Sequence, residues 1–588
     1  MSTSADQLLT QARAAARRGD TALASDALAH VLERFPANRR AREDLAALFG
    51  IAPPPAPPPP SAFTLLDRLW REGQLELLER QLHLLRLLWP RDAALAGAEA
   101  EALLARARIE IEGGAPASAL DTLARAEAAL VLSGLPESGA HANARAVALF
   151  HLGRFAQAEA AAARACALDP GDPAAHANRG GALRELDRLD ESRAEWERAL
   201  ELAPDTPALL DGLATTLLCE GRFDAAVATA RAALAGAPDT PELHNHLGAA
   251  LHQAGALIDA RAEYDAALAL RPQFPTALFN KGTLDLLEGD FARGWPLHEW
   301  RQDNLGPDGP RTPALCVDTG LAGKRIRVDF EQGLGDTLQF VRHARVLAAR
   351  GAAVTLVVQP PLLALLRPAF PDLAIVTAPE AAGPFDETVS LLSLPHLCHL
   401  AGEPIPTAPY LAAEPARVAA WRERLAPATF RIGICWQGST GRIDTGRSFP
   451  LAAAAPLARV PGVALVSLHK GAGLAQLDTL PEGMHVELPA EPFDPPGEAF
   501  LDTAAVMQAC DLVVTSDTSV AHLAGGLGVP TWTMLRHVPD WRWGIAGEDC
   551  IWYPAMRLLR QSREGDWDGL FAQAATRLTA LVAGKVPA

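Results

Sequence analysis

Pro136, Pro170, Pro204, Pro238 and Pro272 stand 34 residues apart. Seventeen residues ahead of the last four come Gly153, Asp187, Gly221 and Gly255, and two residues after those come Phe155, Leu189, Phe223 and Leu257. Small residues follow in phase at Ala158, Ser192, Ala226 and Ala260, and a second small slot falls at Ala146, Gly180, Ala214, Gly248 and Gly282. A register held over several periods dictates a repeat architecture. Each repeat is one supersecondary element that buries its apolar face only by stacking on its neighbours. The small positions let two helices cross closely, and proline, lacking an N–H, closes the second helix.

Period and pattern resemble the tetratricopeptide repeat, with two antiparallel helices in each repeat. Upstream the rhythm thins: Gly19 and Pro36, then Gly73 and Pro90, keep the 17-residue spacing. Residues 1–50 therefore read as a small helical repeat-like unit. "IAPPPAPPPPSA", 51–62, holds seven prolines and predicts an extended, semi-rigid linker. The main array is expected over 63–301, ending in a half-repeat near Arg301, and 302–323, rich in Gly, Pro and Asp, reads as a second linker.

From residue 324 short β-rich runs alternate with Ala/Leu helices: "RIRVDF", "AVTLVV", "LAIVTA", "RIGICW", "ALVSLH", "LVVTS" and "TWTML". Strand–helix alternation predicts parallel sheets. Two Rossmann-like halves, 324–424 and 425–588, are expected, with a ligand in the cleft at the carboxyl ends of the strands. The predicted fold class is thus α + α/β, a helical solenoid followed by a pair of Rossmann-like domains.

The formal net charge of −17 argues against a nucleic-acid binder. The 7 cysteines stand singly, at 166, 219, 316, 398, 435, 510 and 550, without the pairing of a disulfide framework or a CxxC metal site. No apolar run is long enough to span a bilayer, and the first twenty residues lack the basic-then-apolar order of a signal peptide. A cytoplasmic protein without a membrane span is expected.

The strongest local motif is "DLVVTSDTSVAHLAGGLGVPTWTML", 511–535. A buried strand ends at Thr515, and Ser516, Asp517, Thr518 and Ser519 lead into a helix carrying His522. Such a turn offers free N–H groups, hydroxyls and a positive helix end to a phosphate; Ser, Asp and Thr are also ordinary N-caps. "EQGLGDTLQF", 331–340, follows a strand too, but the third glycine of a dinucleotide fingerprint is missing.

"SDTSVAHLAGGLGVP" resembles the signature of the heptosyltransferase-like glycosyltransferases, which are GT-B enzymes using nucleotide-activated sugars. "GLGDTLQF" is similar to that family's first loop, and "GICWQGSTGRIDTGRSFPL", 433–451, to its post-strand loop, where Arg447 stands in place of a lysine. A repeat array joined to such a domain, with "PDWRWG" (539–544) and "WYPAMRLLRQ" (552–561), resembles bacterial repeat-coupled glycosyltransferases, some implicated in glycosylating flagellin. The resemblance implies a catalytic base at Asp336, with Glu331 as its rival, and a cation for the departing phosphate at Arg447. It implies a donor site at Gly333, Gly335, Trp436, Gln437, Gly438, Ser448, Lys470, Ser516, Asp517, Thr518, Ser519 and His522. It also implies no essential metal and no cofactor beyond the nucleotide-sugar. Structural readings stand beside these: Asp336 as the cap of a helix starting at Thr337, Trp436 as core, His522 as a satisfied buried histidine, Arg447 and Lys470 as surface cations. His396, Cys398 and His399 of "PHLCH" cannot share one face, so no metal site is expected there. Trp541, Arg542 and Trp543 suit packing between the halves, or stacking on a ligand.

The expected activity is sugar transfer from a nucleotide-sugar donor to a protein hydroxyl, the acceptor held by the array and flagellin the specific expectation. A lipopolysaccharide-type glycan acceptor and a non-catalytic scaffold are the alternatives.

Overall fold

The computed structural model describes residues 4–52, 57–301, 304–306, 309–310, 321–400, 402–439, 444 and 446–584. Most of the expected linker 302–323, with Cys316, and residues 53–56 of the proline-rich stretch lie outside the described residues. The chain divides into two compact units, Met1–Thr216 and Leu217–Ala588.

The first unit is helical. A helix opens at Pro60, Pro60–Arg71, inside the stretch expected to be extended. Proline is welcome there because its φ is preset and its missing N–H would have had no partner in the first turn. Antiparallel pairs follow, among them Gly139–His151 with Phe155–Leu168 and Pro173–Glu185 with Leu189–Leu202. The joint in each pair explains the periodic residue: Gly153 has φ +70° and Asp187 φ +62°, left-handed values that glycine adopts freely and aspartate tolerates. The next amide then folds back, Arg154 N–H to Leu149 C=O and Arg188 N–H to Leu183 C=O, each at 3.0 Å, which satisfies carbonyls left over at the helix end. The small slot is equally physical, since a Cβ on Gly180 would lie 2.9 Å from Trp196 Nε1. A second proline series, Pro173, Pro207, Pro241 and Pro275, opens the first helix of successive repeats.

The second unit contains the last repeats, including α1 (Pro241–Gln253), α2 (Pro275–Leu287) and α3 (Phe291–His298), and two parallel sheets. The first sheet is built from β1 (Arg325–Asp329), β2 (Ala353–Val357), β3 (Ala374–Val376) and β4 (Glu387–Ser390), in the order β3-β2-β1-β4. The second holds β5 (Phe430–Cys435), β6 (Val463–Ser467), β7 (Val486–Glu487), β8 (Leu512–Thr515), β9 (Thr531–Leu535) and β10 (Met556–Arg560), in the order β10-β9-β8-β5-β6-β7. Counted from its own first strand the second sheet runs 3-2-1-4-5-6, and the first follows the same rule as far as it goes. In both, the strand order reverses beside the first strand, between β1 and β4 and between β5 and β8. At such a reversal neighbouring loops diverge and leave a crevice at the carboxyl ends.

The repeats do not end where the sheets begin. Leu286, Leu287 and Trp295 belong to the same apolar cluster as Ile326, Val328 and Leu338. Trp295 also meets Trp541 edge-on at 5.4 Å, and Trp541 stacks on Phe340 at 6.3 Å. The last repeat and both sheets thus share one core, where the sequence suggested a break at 302–323.

The sheets are joined through the helices that leave their central strands. α4 (Leu334–Phe340) follows β1; α5 (Pro415–Arg424) lies between the sheets in sequence; α6 (Leu501–Ala509) and α7 (Ser519–Leu527) flank β8. α4 packs on α7 with Gly335 at the contact, where a Cβ would sit 3.1 Å from His522 Cδ2 and 3.4 Å from Ser519 Cα. Arg342 lies over the rings of Tyr410 and Tyr553 and donates to the Trp552 carbonyl at 2.9 Å. α5, the last element assigned to the first half, is tied to the second: Trp421 Nε1–H and Arg417 both donate to Asp502 of α6, at 2.8 Å each. Among the described residues no helix is long and apolar enough to cross a membrane.

Candidate functional site

Two cavities lie at the crevice of the second sheet. The larger, about 600 Å³, is bounded by Gln437 and Gly438 after β5, His469 and Lys470 after β6, and Thr518 and Ser519 at the start of α7. The smaller, about 310 Å³, is lined by Arg447, Asp517, Arg536, Asp540 and Arg542 from the second-sheet side, by Gln332 after β1, and by repeat residues His252, Gln253, Phe279, Thr283 and His298. The two cavities border each other: Leu334 lines the larger and Gln332 the smaller, and Thr518 the larger and Asp517 the smaller. Gly438, in the larger cavity, and Arg447, in the smaller, meet at this border. A Cβ on Gly438 would come within 3.0 Å of Thr518 and 3.3 Å of Arg447 Nη2, so a side chain would push the two apart.

Thr518 caps α7 by accepting the Val520 N–H at 3.3 Å. Asp517 precedes it; burial, together with the negative charge of Asp540, pushes its carboxyl up to about 6. The Oγ of Ser516, just behind, is buried without a partner, as is the Nε of Arg447. Gln332, in the loop opposite, has φ +63°, a conformation that is strained for a side chain of this kind.

Asp336 sits in the third position of α4, not ahead of a helix starting at Thr337. Its Oδ2 accepts the Gly333 N–H at 2.9 Å, closing the helix start. Its Oδ1 accepts from Arg542 Nη2 at 2.5 Å. Arg542 donates further to Asp540 and Gln339, both at 2.9 Å, and lies over the Trp541 ring at 4.4 Å. Burial works against this guanidinium's charge, but Asp540 and Asp336 hold its pKa above the ordinary range. The "PDWRWG" segment is therefore packed in the core, with Trp541 and Trp543 both buried.

Several residues read as donor-binding turn out to face elsewhere. Trp436 is fully buried, donates to the Gly473 carbonyl at 3.1 Å and stacks on His469 at 4.1 Å. Its strand position turns it into the core while Gln437 and Gly438 turn to the cavity. His522 is buried against Trp543, ring centroids 5.2 Å apart, and bonds Tyr553 Oη through Nδ1 at 3.1 Å. Burial, then the charges of Arg542 and Arg342, hold its pKa well below the usual imidazole range, so it is a neutral packing residue. Gly335 serves the crossing of α4 and α7, and Gly333 gives its N–H to Asp336. Ser448 bridges the post-β5 loop, donating its N–H to Asp444 at 2.9 Å and accepting the Gly438 N–H at 3.4 Å. Lys470 lines the larger cavity but donates to the carbonyls of Phe493 and Asp494, at 2.7 and 3.0 Å. Glu331 is committed: both its oxygens accept from Arg301, at 2.7 and 2.8 Å, inside a buried network with Glu299 and Ser393.

Of the "PHLCH" residues, Cys398 and His399 line a small separate cavity of about 210 Å³, and burial lowers His396 to about 4. In the first unit Cys166, His176 and Glu195 place ligand atoms within 4.8 Å of one another. The His176–Glu195 pair, 2.7 Å apart, recurs as His244–Glu263 at the same distance. In both, the second ring nitrogen meets a proline carbonyl, Pro170 or Pro238. The pair is thus a fixture of the repeat.

The residues that sequence reasoning missed are the repeat contribution, His252, Gln253, Phe279 and Thr283, and the cation Arg536, whose Nη2 donates to Gln253 at 2.6 Å. Nothing in the repeat period marks them. Gln253 ends α1, and His252, Phe279 and Thr283 fall at helix positions that the recurring small and apolar residues do not fix.

The helical array is a tetratricopeptide-repeat solenoid: the family model described as "Tetratricopeptide repeat" matches residues 104–173, 143–207 and 212–277. The chain is similar to Protein FlbA of Caulobacter vibrioides, 28% identical over 330 residues, covering 51% of this chain and 54% of the relative, so the match spans about half the length of that protein. Among solved structures it is similar to a thermophilic tetratricopeptide-repeat protein of Thermus thermophilus, at 21% identity and TM-score 0.29, covering 32% of this chain and 99% of that one. It is also similar to PilW, a type IV pilus biogenesis factor, at 20% identity and TM-score 0.31, covering 35% and 93%.

Proposed function

We propose that the chain is a glycosyltransferase of GT-B type, moving a sugar from a nucleotide-activated donor to a protein hydroxyl with inversion, without a metal, and with flagellin as the candidate acceptor. The observation that carries this reading is the larger cavity at the strand-order reversal of the 3-2-1-4-5-6 sheet, where Gly438 and the capped start of α7 converge. Turns of this kind bind the phosphates of nucleotides through backbone N–H groups. The sequence resemblance to heptosyltransferase-like enzymes falls on the same loops.

In this reading the donor lies in the larger cavity. The acceptor oxygen attacks the anomeric carbon, and the bond from that carbon to the phosphate oxygen breaks. The electron pair leaves with the nucleotide phosphate, whose growing charge is met by Arg447 and the Thr518 and Ser519 hydroxyls. The acceptor proton passes to Asp336, which has two of its roughly four lone-pair positions free, and then to solvent. The repeats recruit the protein that carries the hydroxyl, as tetratricopeptide arrays do when they bind partners.

The test is calorimetric titration of the full chain with a panel of nucleoside diphosphates and CMP, followed by the matching nucleotide-sugars and mass analysis of the products. Binding of one nucleotide that is lost in Gly438→Val supports the reading, because the valine would press on Thr518 and Arg447 at the edge of the larger cavity. Failure of the whole panel to bind removes it.

A further inference from the structure

The smaller cavity differs from the larger in who builds it and in what it offers. Its wall includes His252 and Gln253 of α1 and Phe279 and Thr283 of α2, so tetratricopeptide helices enter the site itself. Among the described residues three guanidiniums, of Arg447, Arg536 and Arg542, face three carboxylates, of Asp444, Asp517 and Asp540. Such a lining presents donors and acceptors together, the complement of a peptide backbone with its alternating N–H and C=O groups. The volume, about 310 Å³, is at the low end for small-ligand pockets, about 300–1,000 Å³. It suits one side chain and its flanking peptide groups better than a nucleotide-sugar.

The two cavities are also neighbours, as a two-substrate transfer needs: Leu334, Thr518 and Gly438 border the larger, and Gln332, Asp517 and Arg447 the smaller. Gln253 holds Arg536 at 2.6 Å, which makes a repeat residue the anchor of one of the cavity's cations.

We infer that the smaller cavity seats the acceptor, an extended hydroxyl-bearing polypeptide segment, and that Phe279 and Thr283 of the repeats select it. This rests on the transferase reading above, and the two are separable by experiment. Wild type, Thr283→Trp, Phe279→Ala and a control, Ala499→Trp in the larger cavity, are assayed as full chains. The probes are the nucleotide panel by calorimetry and an array of synthetic serine- and threonine-containing peptides with labelled nucleotide-sugars. The expected result is nucleotide binding by wild type and Thr283→Trp alike, its loss in Ala499→Trp, and a fall of at least a hundredfold in peptide labelling by Thr283→Trp. If Thr283→Trp does not fold, Phe279→Ala decides: a tenfold or greater rise in peptide KM with donor KM unchanged supports the assignment, and unchanged peptide KM overturns it. Labelling by Thr283→Trp within threefold of wild type, loss of its nucleotide binding while folded, or nucleotide binding by wild type with no peptide labelled would each overturn it. No nucleotide bound by wild type sinks the transferase reading instead.

Discussion

Asp336→Asn tests separately the clamp that the structure shows at this carboxylate and the base proposed for it. The carboxylate uses one oxygen for the Gly333 N–H, at 2.9 Å, and the other for Arg542, at 2.5 Å. Asparagine keeps a single acceptor oxygen, so one bond is lost and the charge with it. A hydrogen bond to a charged group contributes about 1.5–3 kcal/mol, and a helix-start bond about 1 kcal/mol. Arg542 still has Asp540 and Gln339, both at 2.9 Å, so no isolated charge is left buried. The expected destabilisation is about 2–3 kcal/mol, read as a shifted midpoint in denaturant at unchanged slope. Arg542→Gln, in contrast, strands Asp336 and Asp540 and should cost roughly 3–5 kcal/mol. The catalytic arm is independent of both. Loss of a general base lowers kcat by about 10²–10⁴, or about 3–5 kcal/mol of barrier at 1.36 kcal/mol per tenfold, with donor KM little changed. If folded Asp336→Asn keeps kcat within tenfold of wild type, Asp336 is a clamp between the sheets and the base lies elsewhere.

Gly248→Ala would place a Cβ 2.7 Å from Tyr264 Cε1 and should destabilise by about 1–3 kcal/mol through overpacking; an unchanged unfolding midpoint in denaturant would refute the close crossing. Arg301→Ala strands the buried Glu299 and Glu331 and should cost about 3–5 kcal/mol, while Glu331→Gln should leave sugar transfer to a peptide within threefold, since Glu331 has no free role. His252 is buried, and burial lowers its pKa from 6.5 to about 4. Below pH 6.5 the unfolded chain takes up a proton that the folded chain refuses, so stability is lost as pH falls toward about 4 and levels off below it. The loss approaches ~3 kcal/mol at 1.36 kcal/mol per pH unit, and thermal unfolding of His252→Gln from pH 7.5 to 4 should show that much less acid sensitivity than wild type.

The array was legible because its period is enforced by geometry: left-handed joints at Gly153 and Asp187 and a helix crossing at Gly180 each admit few residue types. β1, β2, β3, β5, β6, β8 and β9 were legible as apolar runs, but the other three strands of the two parallel sheets were not. Glu387–Ser390 buries little beyond Val389, Val486–Glu487 is only two residues long, and Met556–Arg560 carries flanking arginines that hide its strand pattern. Loops could be read as sites, but not which way each side chain turns. Trp436 and Gln437 are neighbours on opposite faces, and His522 points into the core from a helix whose first residue lines a cavity. The repeat wall was invisible for a different reason: proximity of residues 252–283 to residues 517–542 is a product of tertiary packing.

The shared core of Leu286, Leu287 and Trp295 with the first sheet bears on how such proteins diversify. If arrays are exchanged between relatives by recombination, the helices 241–298 must travel with the sheets, because a junction near residue 300 would cut through a continuous interior. What precedes the helix Pro207–Cys219 could be exchanged for other repeats, while the surroundings of both cavities are inherited unchanged. Engineering a new recruitment surface and engineering the proposed acceptor site are then problems for different parts of the gene.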